Sequence, residues 1–173
     1  TRVLKSPASG RTMNFGVRAA VGAPPTEEML MTVKSILDAK GRDVVTIEPE
    51  ATLQEAARLL GLRRIGAAVV TRADRTILGI LSERDIVRLI GERGADALAM
   101  NVREAMTSKV STCRESSTIN EVMEVMTHGR FRHLPVEKDG KLDGIVSIGD
   151  VVKRRIEDVE REAEQIREYI ATA

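Results

Sequence analysis

One heptad is written twice in this chain, and its recurrence restricts the fold more than any other feature. Gly79-Ile80-Leu81-Ser82-Glu83-Arg84-Asp85 and Gly144-Ile145-Val146-Ser147-Ile148-Gly149-Asp150 each read as the end of a strand, then a hydroxyl, then a carboxylate three places on. An apolar pair follows both, Ile86-Val87 and Val151-Val152. The pattern is that of a strand-to-helix turn. Free N–H groups at such a helix start attract an anion, and the Ser hydroxyl can join them. An Asp one turn in can accept hydrogen bonds from a diol such as ribose. The Gly would let a ligand approach the strand backbone. Ser-x-x-Asp is also a helix capping box, which serves folding alone. Pattern alone leaves both readings open.

The repetition extends well beyond the heptads. Val44–Ile47 reads as a strand, and Thr52 with Glu55 as the capped start of a helix carrying Leu53, Ala56, Ala57 and Leu60 on one face. Gly66–Val70 and Thr76–Leu81 read as two strands joined at Ala73-Asp74-Arg75, and a helix follows with Ile86, Leu89 and Ile90 inward. The second half repeats this order. Val110–Cys113 is a strand, Thr118 and Glu121 restart the capped helix with Val122, Met123, Val125 and Met126 as its apolar face, and Arg132–Val136 and Leu142–Val146 form the next hairpin. Thr52 and Thr118 lie 66 residues apart and Gly79 and Gly144 lie 65 apart, so the residue lost falls in the hairpin turn, where length varies freely. Each half is β-α-β-β-α, which makes the fold class α/β. Val33–Ile36 and Val102–Met106 are matching lead-ins.

These patterns divide the chain into a flexible N-terminal extension over 1–28, a first repeat over 29–92, a linker over 93–101, a second repeat over 102–158 and an extended C-terminal helix over 159–173. From the end of the second repeat into that last helix, Val152, Ile156, Val159, Ala163, Ile166 and Ile170 step by 4, 3, 4, 3, 4, a seam of period 3.5. Its distal part has no evident partner within the chain, so contact with a second copy, a homodimer, is expected.

Composition narrows the function. Aromatics are 2% with no Trp, which removes the stacking platforms that single-stranded nucleic acid wants. The first 26 residues hold Arg2, Lys5, Arg11 and Arg18 and no acid, which leaves the rest at 23 basic against 26 acidic residues. Such a balance does not fit a generic nucleic-acid binder. That head is expected to be a dispensable tail, with Met29 and Met31 as candidate natural starts. One cysteine, Cys113, permits no internal disulfide and fits a reducing, cytoplasmic setting. No apolar run reaches the 18 or so residues of a membrane span. Two His and one Cys without ligand spacing leave no metal constellation.

Taken together, the doubled Gly-h-x-Ser-x-x-Asp (h, an apolar residue), the Thr-x-x-Glu helices and Arg132-His133-Leu134-Pro135-Val136 resemble the cystathionine β-synthase (CBS) domain in tandem, a Bateman module, over roughly Thr32 to Ile156. The resemblance implies a pair of repeats related by a pseudo-two-fold axis, with two clefts for adenine nucleotides: AMP first, with ATP, ADP or NAD(H) as alternatives, and no metal. It places Asp85 and Asp150 on ribose hydroxyls, Ser82 and Ser147 near ribose or phosphate, and Ile80 and Ile145 against the base. Thr46 and Thr112 would sit close to adenine. Arg132 and His133 would reach the phosphate held by the first repeat, whereas Gly66 and Ala67 at the matching positions carry no charge. Arg84 would then serve the second cleft. The expected role is a sensor that signals to a regulated protein partner. An enzyme acting on such a nucleotide, or a structural dimer with vestigial clefts, remain as alternatives. Against the enzyme stands the lack of a nucleophile–base pair or a Lys-bearing phosphate loop.

Overall fold

The computed structural model describes residues 31–172; the expected extension over 1–28 lies outside them. In chain order the elements are α1 (Val33–Lys40), β1 (Thr46–Ile47), α2 (Leu53–Arg63), β2 (Ala67–Thr71), β3 (Ile77–Ser82), α3 (Glu83–Arg93), a 3₁₀ turn (Gly94–Ala99), α4 (Val102–Ala105), α5 (Ile119–Gly129), β4 (His133–Lys138), β5 (Lys141–Ser147) and α6 (Ile148–Thr172). The α/β class and the two matching repeats hold.

Helix starts follow their capping residues. Thr52, Ser82 and Thr118 each accept from the N–H three residues on, and Glu55, Asp85 and Glu121 reach back to the cap backbone. Each such cap contributes about 1 kcal/mol. The expected inward faces need two corrections. Ile86 and Leu89 are buried but Ile90 is 39% exposed, and Val122 and Met126 are buried but Val125 is 39% exposed. Ile86 and Leu89 in α3, and Ile119, Val122 and Met126 in α5, fill the core, and the residue beside that stripe is left at its edge.

β1, β2 and β3 form one sheet, with β1 parallel and β3 antiparallel to β2, while β4 and β5 pair antiparallel. Both hairpins shift register at the matching place, between Val70 and Thr71 and between Val136 and Glu137. The strand expected over Val110–Cys113 shrinks to one bridge, Cys113 to Val136. The cause is one residue. In the first repeat Val69 N–H donates to the Val45 carbonyl at 3.4 Å. Pro135 occupies the position of Val69 and has no N–H to offer Ser111, so the ladder stops at Cys113.

The packing units differ from the sequence repeats. One core gathers Ile47, Leu53, Leu60, Val70, Leu81 and Ile86 with Val102 and Ala105 of α4. The other gathers Ile119, Val122, Met126, Leu134, Val136 and Val146 with Val33, Ile36 and Leu37 of α1. Each lead-in helix therefore crosses to the other repeat. Backbone bonds fix the exchange: Val33 N–H donates to Ser117 (2.9 Å), Ile119 to Met31 (2.9 Å), Leu53 to Met100 (2.9 Å) and Val102 to Ala51 (2.8 Å). The segment expected as a linker is itself packed, with Ala97 fully buried in the first core.

This crossing explains the heptad glycines, and it corrects the expectation that they admit a ligand. A Cβ on Gly79 would collide with the Met106 sulfur and come within 2.9 Å of the Thr107 carbonyl oxygen. A Cβ on Gly144 would lie 2.8 Å from Leu37 Cδ2. The close neighbour in both cases is the visiting lead-in.

Candidate functional site: a cleft between the repeats

A cleft of about 270 Å³ opens where the first Ser-x-x-Asp turn faces the second repeat. From the first repeat it takes Ile80, Ser82, Arg84 and Asp85 at the β3–α3 junction, with Gly66 and Ala67 at the start of β2. The other half supplies Thr107, Lys109, Val110 and Ser111 after α4, and Gly129 to His133 between α5 and β4. Thr107 is held there by exchanging backbone hydrogen bonds with Ile80 at 3.0 and 2.9 Å.

Asp85 Oδ2 accepts from the Ser82 N–H (2.9 Å) and from its hydroxyl (2.7 Å), so the turn is a capping box and the carboxylate is fixed in place. No hydrogen bond from a described residue reaches its other oxygen. Arg132 sits across the cleft with one guanidinium nitrogen 3.4 Å from Glu83 Oε1. Half-buried His133 has its pKa pushed below 6.5 by burial and by Arg132 next to it, against a weaker opposing pull from Glu83. It is a neutral ring at neutral pH. A Cβ on Gly66 would stand 3.2 Å from its Cε1, so the small residue there leaves room for the imidazole.

The second turn is surrounded differently. Asp150 Oδ2 accepts from Ser147 N–H (2.8 Å) and its hydroxyl (2.9 Å) in the same box, but it also takes Lys40 Nζ at 2.6 Å. Burial would raise the Asp150 pKa; Lys40 and the Ser147 donors outweigh that and hold it below the ordinary carboxylate value. Ile145, Ser147 and Asp150 thus cluster away from the open cleft.

Three expectations are corrected. Arg84 lines the first cleft, beside its own repeat's Asp85. Thr46 lies in a separate hollow with Asp43, Leu59, Arg63 and Arg75. Thr112 points its hydroxyl to Glu137 at 3.3 Å, and the neighbouring Ser111 and Val110 line the cleft instead. The shift of one residue follows from the single bridge at Cys113, beyond which the segment leaves the sheet.

Residues 33–92 and 102–157 each match the CBS domain. The chain belongs to the CBS domain family. A solved CBS-domain containing protein from Agrobacterium tumefaciens is 53% identical, with a TM-score of 0.70 over 72% of this chain and 98% of that one. A CBS domain protein from Pyrobaculum aerophilum, solved in complex with AMP, is 30% identical with a TM-score of 0.62, over 69% of this chain and 88% of that one. An uncharacterised 17.7 kDa protein of Acidianus ambivalens is 35% identical over 111 residues, 64% of this chain and 66% of its own length.

Within this CBS pair several cleft residues escaped the sequence reading: Lys109, Ser111, Arg130 and Phe131 around the open cleft, and Lys40 on Asp150. A signal for two of them existed. Lys40 and Lys109 each stand seven residues after the Val that opens a lead-in, Val33 and Val102. Arg130 has a partner too, since Arg64 and Arg130 both cap a helix in the left-handed region, at φ 51° and 54°. For a residue other than Gly that conformation costs roughly 1–2 kcal/mol.

Among the described residues no group of three or more His, Cys, Asp or Glu is arranged to hold a metal, and no helix is long and apolar enough to cross a membrane. Burial pushes the Cys113 thiol up to about 12, which disqualifies it as a nucleophile at neutral pH.

Proposed function

We propose that this CBS pair is a non-enzymatic sensor that holds an adenosine-containing nucleotide in the first cleft and conveys its presence to a protein partner. The observation that carries the reading is the convergence of Ile80, Ser82 and Asp85 from one repeat with Arg132 and His133 from the other. Asp85, already fixed by Ser82, keeps one oxygen for a ribose diol. Ile80 offers an apolar wall to the base, and the Arg132 fork suits a phosphate. The AMP held by the Pyrobaculum relative supports the same assignment. Signalling requires that the ligand prefer one of two conformations, and the inter-repeat Arg132–Glu83 pair is a contact that an incoming phosphate would disturb.

Calorimetric titration with AMP tests this. Asp85→Ala should weaken binding about ten- to a hundredfold, the loss of charge-assisted hydrogen bonds worth roughly 1.5–3 kcal/mol. Arg132→Ala should reduce the preference for AMP over adenosine. If Asp85→Ala and Asp150→Ala, both folded, bind AMP like the parent, both boxes are caps and nothing more.

We also read α6 as the contact with a second copy. Ile156, Val159, Ile166 and Ile170 are 46–69% exposed along its seam. A single-chain mass by light scattering at micromolar concentration would refute the homodimer.

A further inference from the structure

We propose that the first cleft takes a nucleoside polyphosphate, a di- or triphosphate, in preference to a monophosphate or to a cationic adenosyl compound. The inference rests on the adenosine reading above and extends it to the rest of the ligand. Four cations line the cleft: Arg84 in the first turn of α3, Lys109 after α4, Arg130 at the end of α5 and Arg132 before β4. They come from four separate places in the chain and from both repeats. Only Arg132 has a carboxylate within ion-pair distance among the described residues, Glu83 at 3.4 Å. Against them the lining sets one acid, Asp85, already engaged by Ser82. With His133 neutral the lining carries a formal charge of +3.

Like charges converging on one opening repel one another, so their convergence needs a reason. Repetition supplies it only in part, since Lys109 and Arg130 have the basic counterparts Lys40 and Arg64. The positions of Arg84 and Arg132 are Gly149 and Gly66 in the other repeat, and the counterpart of Lys109 is Lys40, which Asp150 neutralises. Arg84 and Arg132 therefore have no basic counterpart in the other repeat. One phosphoryl group is satisfied by a single guanidinium fork with a backbone N–H or two. Cations spread over four places match an extended anion, and Arg84, Lys109 and Arg130 are all exposed, where a phosphate tail leaving the cleft would pass. A sulfonium or other cationic substituent would meet repulsion from the same groups.

The test is calorimetry on the full chain, without added divalent metal, at low and moderate salt. The probes are ATP, ADP, AMP, adenosine, S-adenosylmethionine and inorganic triphosphate. ATP should bind roughly tenfold or more tighter than AMP, AMP tighter than adenosine, and the ATP advantage should shrink with salt. An Arg84→Gln, Lys109→Gln double variant, its fold checked by circular dichroism, should lose ATP affinity several-fold more than AMP affinity. Equal affinities for ATP and AMP, or tighter binding of S-adenosylmethionine, overturn the polyphosphate inference and leave the adenosine reading standing. Inorganic triphosphate binding as tightly as ATP does the reverse. Failure of every probe to bind overturns both.

Discussion

At Ser82 and at Ser147 the chain makes the same turn, with the same three hydrogen bonds between the serine and an aspartate three residues on. One of these turns faces an open cationic cleft, while the other has a lysine seated on its carboxylate. The difference arises in the lead-ins. α4 ends at Ala105 because Met106 and Thr107 turn extended and Thr107 joins Ile80, whereas α1 continues to Lys40 and delivers that ammonium to Asp150. A duplicated motif thus specifies a turn; what visits the turn decides whether its carboxylate is left open.

The largest effects should come from blocking the visitors. Gly79→Val and Gly144→Val both force a side chain into the opposite lead-in, and overpacking of this kind costs about 1–3 kcal/mol. Gly79→Val should be the worse, because the Thr107 carbonyl beside it is backbone, while Leu37 beside Gly144 can change rotamer. Urea denaturation that ranks them the other way would mean that the rotamer freedom of Leu37 does not set the difference.

Next in size is the converse experiment on Lys40. Lys40→Ala should leave stability within about 1 kcal/mol, since the pair is partly exposed, and should release Asp150 for a second ligand. Titration with adenosine, which asks for no phosphate partner, should then show a second binding event. An unchanged single event would place the asymmetry elsewhere, in the missing Arg84 and Arg132 counterparts.

A pH series sharpens the comparison further. His133 lines the open cleft but also feels Lys40 and Asp150, so it lies between the two turns. Its folded pKa is below 6.5, so as pH falls through 6.5 the unfolded chain takes a proton that the folded chain resists, and stability drops in that window. A bound phosphate opposes the shift. Binding of a phosphorylated ligand near pH 6 should therefore add proton uptake by His133 to the proton release of the phosphate itself, whose second pKa is about 6, and in calorimetry across buffers of different ionisation enthalpy His133→Gln should shift the net count toward release.

The smallest effect concerns the shortened strand. Pro135→Val restores the N–H that Val69 provides in the first repeat. The new hydrogen bond, about 0.5–1.5 kcal/mol, is nearly offset by the chain entropy that proline removed, about 0.4–1 kcal/mol. Stability should barely move, but hydrogen exchange at the introduced amide should be slow if Ser111 now pairs.

Much of this architecture was legible in the residues. Helical spacing placed Leu53, Ala56 and Leu60 in a core, and the Thr-x-x-Glu and Ser-x-x-Asp boxes marked four helix starts. Which core a lead-in joins was not legible, because Val33 and Ile36 present the same apolar stripe whichever sheet receives it. Nor were Lys109 and Arg130, exposed cations that carry no hydrophobic period. Thr112 was displaced by one residue because the effect of Pro135 acts across strands, on a segment 22 residues earlier in the bond from Cys113.

The exchange of lead-ins also reorders events during synthesis. Of the described elements α1 leaves the ribosome first, yet the surface that receives Leu37 includes Gly144, which is made more than a hundred residues later. Until then its apolar stripe has no native partner, and closing so long a loop is entropically expensive. The first repeat is in the same position, lacking Val102 and Ala105 until the second has begun. Each core is completed by a lead-in from the other half, so a nascent chain that stops at residue 92 lacks both Val102 and Ala105 and the surface that receives Val33 and Leu37.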